Sequence, residues 1–299
     1  MAKDREYVVV LAGPDDTLRS LAARHLGDAS RGWLIADFNS IDRVAPGQEI
    51  VIPLTFENPT GVGVDGYQTV PILCYHRFGD KPAKMVVTPK AFADQMDFLA
   101  QNGYRVVPMV DIADFLQGKR ALPQRAVAIT MDDGYKSAYS VAYPILKQHG
   151  FQATLYVYTD FVGTSEGLTW AQLSELATSG VIDVQPHSKS HANLAQALPG
   201  EDLDAYRQRI TDEVEVPRRL LAEHLKIPIH TFAFPYGNAN DLVVEVVQKE
   251  DYRIAATVLR GGNPFFAYPY LLRRTMIFGE DDLDAFRGKL EVFRSQRLR

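Results

Sequence analysis

Three short stretches of this 299-residue chain carry groups able to do chemistry together: Asp132-Asp133-Gly134, His187-Ser188-Lys189-Ser190-His191 and Phe234-Pro235-Tyr236-Gly237. The two adjacent carboxylates end an apolar run, Ala126 to Met131. Like charges that close repel, and each needs solvent or a partner, so a cation belongs beside them. His187 and His191 are four residues apart, a spacing that suits joint ligation where a segment begins a helical turn. Two imidazoles and one carboxylate give three protein ligands and leave a place for water, which is the pattern of a catalytic rather than a structural metal site. Water on zinc ionises near pH 7, and the other aspartate is then available to take its proton. Each feature alone is weak, since paired aspartates also cap helices and surface histidines also fall four apart. Their shared position at strand ends is what joins them.

The elements that must position these groups lie beyond about residue 70. Strands are expected at Pro71–Tyr75, Arg105–Val107, Ala126–Met131, Ala153–Val157, Val181–Gln185, Thr231–Phe234 and Ile254–Thr257. Between them run helices, among them one with Thr88 as N-cap and Pro89 in its first turn, then Tyr139–Gln148, Trp170–Thr178, Asp202–His224 and Asp241–Lys249. Repeated βα units imply an α/β fold of parallel strands with right-handed crossovers. Their number suits a (β/α) barrel, complete or distorted, with its chemistry at the carboxyl ends of the strands.

Residues 1–55 read as a separate βααβ module. It has a strand at Tyr7–Leu11, a helix capped by Asp15 or Asp16 and stopped by Gly27, a helix at Trp33–Asn39, and a closing strand at Glu49–Pro53. Residues 56–69, rich in glycine, read as a linker, and 70–299 as the large domain.

Composition bounds the rest. At 46% hydrophobic and 23% charged the chain is ordinary globular material, and a net charge of -5 argues against nucleic acid as a partner. Cys74 is the sole cysteine, which excludes an internal disulfide and a cysteine-rich zinc site. No apolar stretch reaches the roughly 18–20 residues that span a bilayer. The polar start, Met1 to Glu6, has no signal-peptide core, so a cytoplasmic protein and one whose export signal has been removed both stay open.

Thr130-Met131-Asp132-Asp133-Gly134, His187-Ser188-x-x-His191, Pro235-Tyr236-Gly237 and Pro71-Ile72-Leu73-Cys74-Tyr75-His76 together resemble the polysaccharide deacetylase family, the NodB homology domain of carbohydrate esterase family 4. The resemblance implies a general base at Asp132, a divalent metal (zinc first, cobalt or nickel as alternatives) on Asp133, His187 and His191, and an oxyanion donor in the Tyr236 backbone N–H. It implies an acetylated, N-acetylglucosamine-containing polysaccharide as substrate and acetate as product. Two departures stand out: the family's third-motif arginine and its late Leu-x-His histidine are both missing. Arg274, with Arg273 beside it, is the candidate replacement for the arginine, and His76 for the general acid. Tyr135, Pro235 and Trp170 are candidate sugar contacts.

Tyr7-Val8-Val9, Asp16-Thr17-Leu18, Asn39, Gly47-Gln48 and Ile52-Pro53 make the first module similar to a LysM domain, which implies a bound glycan. A periplasmic, envelope or secreted location follows from the two resemblances. An O-acetyl esterase on a decorated polysaccharide and a non-catalytic glycan-binding protein are the rival readings.

Overall fold

The structure, a computed structural model, describes residues 2–3, 5–55 and 58–296. Met1, Asp4, the linker residues Phe56 and Glu57, and residues 297–299 of the large domain lie outside the described residues. Internal packing divides the chain into two units, one of residues up to Gly61 together with Ala121–Gln124, the other of Val62–Arg120 and residues from Arg125 onward.

The first unit has a βααβ arrangement, β1 (Tyr7–Leu11), α1 (Leu18–Leu26), α2 (Gly32–Asn39) and β2 (Glu49–Pro53), with β2 antiparallel to β1 on one side and the short strand Ala2–Lys3 antiparallel to β1 on the other. Val8, Val10, Leu21, Ile35, Ile50 and Ile52 form its core. Asn39 ties helix to strand, donating to the carbonyls of Ile35 (2.8 Å) and Val51 (2.6 Å) and accepting from the Val51 N–H (2.9 Å). The expected aspartate cap is corrected: Thr17 is the N-cap, in a capping box with Ser20. Asp16 instead accepts from the Gly13 N–H and pairs with Arg24.

In the second unit, residues 62–68 are not a linker. They form a hairpin whose second strand, β3 (Gly66–Gln68), pairs antiparallel with residues 293–295. Then come β4 (Val70–Tyr75), α3 (Pro89–Gln101) and α4 (Met109–Leu116), the last not expected from the sequence. In α3 the Thr88 hydroxyl accepts from the Ala91 N–H, Pro89 opens the first turn, and Phe92, Met96 and Leu99 are buried. β5 (Ala126–Met131) follows, then α5 (Tyr143–His149), preceded by a π turn at Ala138–Ala142, then β6 (Ala153–Val157), α6 (Trp170–Thr178) and β7 (Ile182–Pro186). The chain continues through α7 (Leu203–Leu225), β8 (Thr231–Ala233), α8 (Asp241–Lys249), β9 (Ile254–Ala256) and β10 (Thr275–Met276).

The central sheet runs β7-β6-β5-β4-β10 in parallel, with Arg105–Val106 added parallel to β5 and Gly262–Asn263 antiparallel to β4. Every residue of β4, β5 and β6 is buried, as parallel strands covered on both faces should be. β8 and β9 form a separate parallel pair. The ladder of backbone bonds therefore does not run through a whole barrel. Between β7 and β8 the Gln185 side chain replaces it, accepting from the N–H groups of His230 (2.8 Å) and Thr231 (3.0 Å). Beyond β9 the described residues give one isolated bridge, Ala256 to Leu272, in the stretch before β10.

Candidate active site

β5 leads straight into the acid pair. The Asp132 N–H extends the ladder to the Tyr75 carbonyl (2.9 Å), and on the other side the His187 N–H extends the β6–β7 ladder to the Val157 carbonyl (2.9 Å). Register thus delivers Asp132, Asp133 and His187 to one end of the sheet. His76, Asp132, Asp133, Tyr135, His187, His191 and Tyr236 line a single cavity of about 440 Å³.

Asp132 and Arg274 are both fully buried and bond in a two-pronged fork, Nη1 to Oδ1 at 2.6 Å and Nη2 to Oδ2 at 2.7 Å. The guanidinium is itself fixed by the Thr257 carbonyl (2.9 Å) and the Thr130 hydroxyl (3.2 Å). Burial alone would raise the Asp132 carboxyl, but Arg274, with His187 adding to it, outweighs that and holds the group well below the usual carboxylate range. Asp132 is therefore ionised and its orientation is set.

Asp133, His187 and His191 present one ligand atom each, all within 4.8 Å of one another. Asp133 Oδ1 stands 3.2 Å from His191 Nε2 and 3.7 Å from His187 Nε2. Ligand bonds of about 2.0–2.2 Å place donors roughly 3–3.6 Å apart around one ion, so these spacings fit a metal. Two further observations support the fit. Asp133 Oδ1 is buried without a hydrogen-bond partner, a costly state for a carboxylate oxygen. His187 Nδ1 donates to the Ala233 carbonyl (2.7 Å), which leaves the Nε2 lone pair facing Asp133. Burial, outweighing the two aspartates, lowers the His187 pKa and keeps the ring neutral, as a ligand must be.

Backbone strain is concentrated here. Seven described non-glycine residues have positive φ, and four of them are Asp133 (76°), Ser188 (71°), His191 (63°) and Tyr236 (59°). Such conformations cost about 1–3 kcal/mol each and persist where surrounding structure imposes them. Gly237 completes the Tyr236 turn at φ 71°, and a Cβ there would sit 2.4 Å from the Val258 backbone nitrogen. Gly237→Ala should therefore displace Tyr236 and lower the melting temperature; an unchanged melting curve would contradict this reading of the turn.

The remaining expected residues separate cleanly. His76 reaches the cavity, with its Nδ1 buried and unbonded. Tyr135 lines the cavity with the Arg77 guanidinium 4.6 Å over its ring. Tyr236 is 59% exposed and packs edge-on against His191. Pro235 is buried and does not line the cavity; it supports the turn that carries Tyr236. Trp170 is corrected: it stacks on His224 at 4.1 Å and lines no part of this cavity. Arg273 donates to the Arg260 carbonyl, away from Asp132. Sequence reasoning missed the apolar cavity wall of Met276, Phe278 and Val258, and the bond of Thr130, a member of the Thr-Met-Asp-Asp signature, to Arg274.

A sequence profile described as polysaccharide deacetylase matches residues 119–255. A Bacillus subtilis (strain 168) protein grouped by name with the polysaccharide deacetylases, YxkH, is 26% identical over 208 residues, covering 70% of this chain and 71% of its own. The poly-β-1,6-N-acetyl-D-glucosamine N-deacetylase of Escherichia coli (strain K12) is 26% identical over 226 residues, 63% of this chain but 34% of that enzyme. This chain therefore spans about a third of the E. coli protein. Among solved structures, the Streptococcus pyogenes deacetylase PplD, in complex with acetate, superposes with a TM-score of 0.68 at 24% identity over 75% of this chain and 98% of that one.

Proposed function

We propose that this chain is a polysaccharide deacetylase, a hydrolase acting on amide bonds, and that it removes acetyl groups from an N-acetylglucosamine-containing polysaccharide with the help of one divalent metal ion. One observation carries the reading: the Asp132–Arg274 fork stands beside an Asp133, His187 and His191 cluster of metal-binding dimensions.

Asp133, His187 and His191 would hold the ion. A bound divalent cation would polarise the acetyl carbonyl and make water more acidic. Asp132, ionised and aimed by Arg274, takes the proton of the attacking water. The Tyr236 N–H donates to the carbonyl oxygen as charge develops there; one such donor is typically worth about 100–1000-fold in rate. His76, which lines the same cavity, gives a proton to the departing glucosamine nitrogen. Tyr135 and Tyr236 offer flat faces at the rim for the sugar, and zinc suits two imidazoles and a carboxylate, with cobalt and nickel next.

The first unit, by its βααβ order and its Asn39 tie, supports a LysM-like module that binds the same glycan, and an envelope, periplasmic or secreted setting follows. No helix among the described residues is long and apolar enough to cross a membrane. The testing experiment is acetate release from poly-β-1,6-N-acetylglucosamine, chitin oligomers, peptidoglycan and acetylated xylan. Release from at least one N-acetylglucosamine polymer is expected; release from xylan alone would replace the N-deacetylase with an O-acetyl esterase.

A further inference from the structure

We propose that Glu213, together with the carbonyl that Pro217 sets free, is a positioning device that holds the His187–His191 segment in its metal-binding shape. The inference rests on the metal-dependent reading above.

Glu213 lies on the inward face of α7, in line with buried Tyr206, Ile210, Pro217 and Leu221, and is 7% exposed. A carboxylate on such a face is costly unless hydrogen bonds compensate it. Here they do. Oε2 accepts from the backbone N–H of Lys189 (3.0 Å) and of Ser190 (2.9 Å), and Oε1 accepts from the Ser190 hydroxyl (2.5 Å). All three donors belong to the stretch between the two histidines.

The helix backbone adds a fourth contact. Pro217 sits inside α7 and has no N–H, so the carbonyl four residues earlier, that of Glu213, loses its usual helical donor. The Lys189 N–H takes that place at 3.1 Å. One residue thus grips the segment twice, by its side chain and by its own carbonyl. At the next residue the Tyr252 hydroxyl donates to the Val214 carbonyl (3.0 Å), so the kinked turn is satisfied from outside the helix.

The segment needs holding. Ser188 and His191 both have positive φ, and its internal tie is a bond from the His191 N–H to the Ser188 hydroxyl (2.9 Å). The Glu213 carboxylate bonds to Lys189 and Ser190, between the two histidines, so it acts through the loop. Partners of this kind typically contribute 10–100-fold to metal affinity.

The test uses the full chain, stripped with chelator and titrated with Co²⁺ by calorimetry and visible absorption, alongside thermal melting. Glu213→Gln should fold and bind Co²⁺ about 10–100-fold more weakly than the parent, with an altered absorption band. Equal affinity and an identical band would overturn the proposal. If Glu213→Gln does not fold, Pro217→Ala decides. Alanine restores a helical donor to the Glu213 carbonyl and is the better helix former, so affinity should fall several-fold without a loss of melting temperature. Affinity unchanged in that variant would overturn the proposal. A parent chain that binds no Co²⁺ would instead overturn the metal-dependent reading beneath it.

Discussion

Asp132→Asn is expected to lower acetate release by about 10²–10⁴-fold, the usual worth of a positioned general base, while the protein still binds its metal. The asparagine oxygen can keep one bond to Arg274, and Asp133, His187 and His191 are untouched, so the metal site persists. The variant should melt lower than the parent, because half of a buried fork is gone and Arg274 keeps its charge. Acetate release and metal affinity measured on the same preparation separate the two roles. Loss of both together would mean that Asp132 is a ligand; loss of neither would remove it from the reaction.

The second large effect is expected at Arg274. Arg274→Met keeps an apolar side chain but leaves the Asp132 carboxylate buried without its cation, a change that costs about 3–5 kcal/mol. For a domain of this size that is a fall of roughly 6–20 °C in melting temperature. The pH dependence should change sign as well. In the parent the Asp132 pKa lies below its unfolded value of about 3.9. Its stabilising contribution is therefore complete above that pH and drains away as the pH falls towards the folded value. Without Arg274, burial pushes the Asp132 pKa upward, so this group stabilises most when protonated and loses that contribution as the pH rises through the raised value. Melting at pH 5 and pH 7 checks this. The deficit relative to the parent should be smaller at pH 5, and an equal deficit at both would show that Arg274 does not govern the carboxylate.

The acid pair was legible in the sequence for a physical reason. A buried parallel strand must be apolar along its length, so Ala126–Met131 announces itself, and two acids at its tip need solvent or a partner. Arg274 was legible only through the resemblance: the third-motif arginine is missing, and Arg274, with Arg273 beside it, is the candidate to replace it. Which acid it would meet was not written locally, because the fork joins residues 142 apart. The hairpin at residues 62–68 was hidden for the same reason. Its glycines look like a linker, and its partner strand lies at residues 293–295.

Trp170 shows the limit of reasoning from residue type. Its ring suits a sugar, but Thr169 and Gln172 form a capping box that starts α6 at Trp170, and the ring then stacks on His224. Glu213 shows the reverse. Its place on an apolar helical face, four residues before a proline, was a visible signal, yet periodicity counts it simply as a break in the stripe.

The most direct test of the account is the rate of acetate release by metal-stripped protein as Zn²⁺ is added in measured equivalents. Release should be negligible without metal, rise to saturation at one equivalent per chain, and fail to recover in His191→Ala at that loading. Full release by the stripped protein, or normal recovery in His191→Ala, would contradict the account.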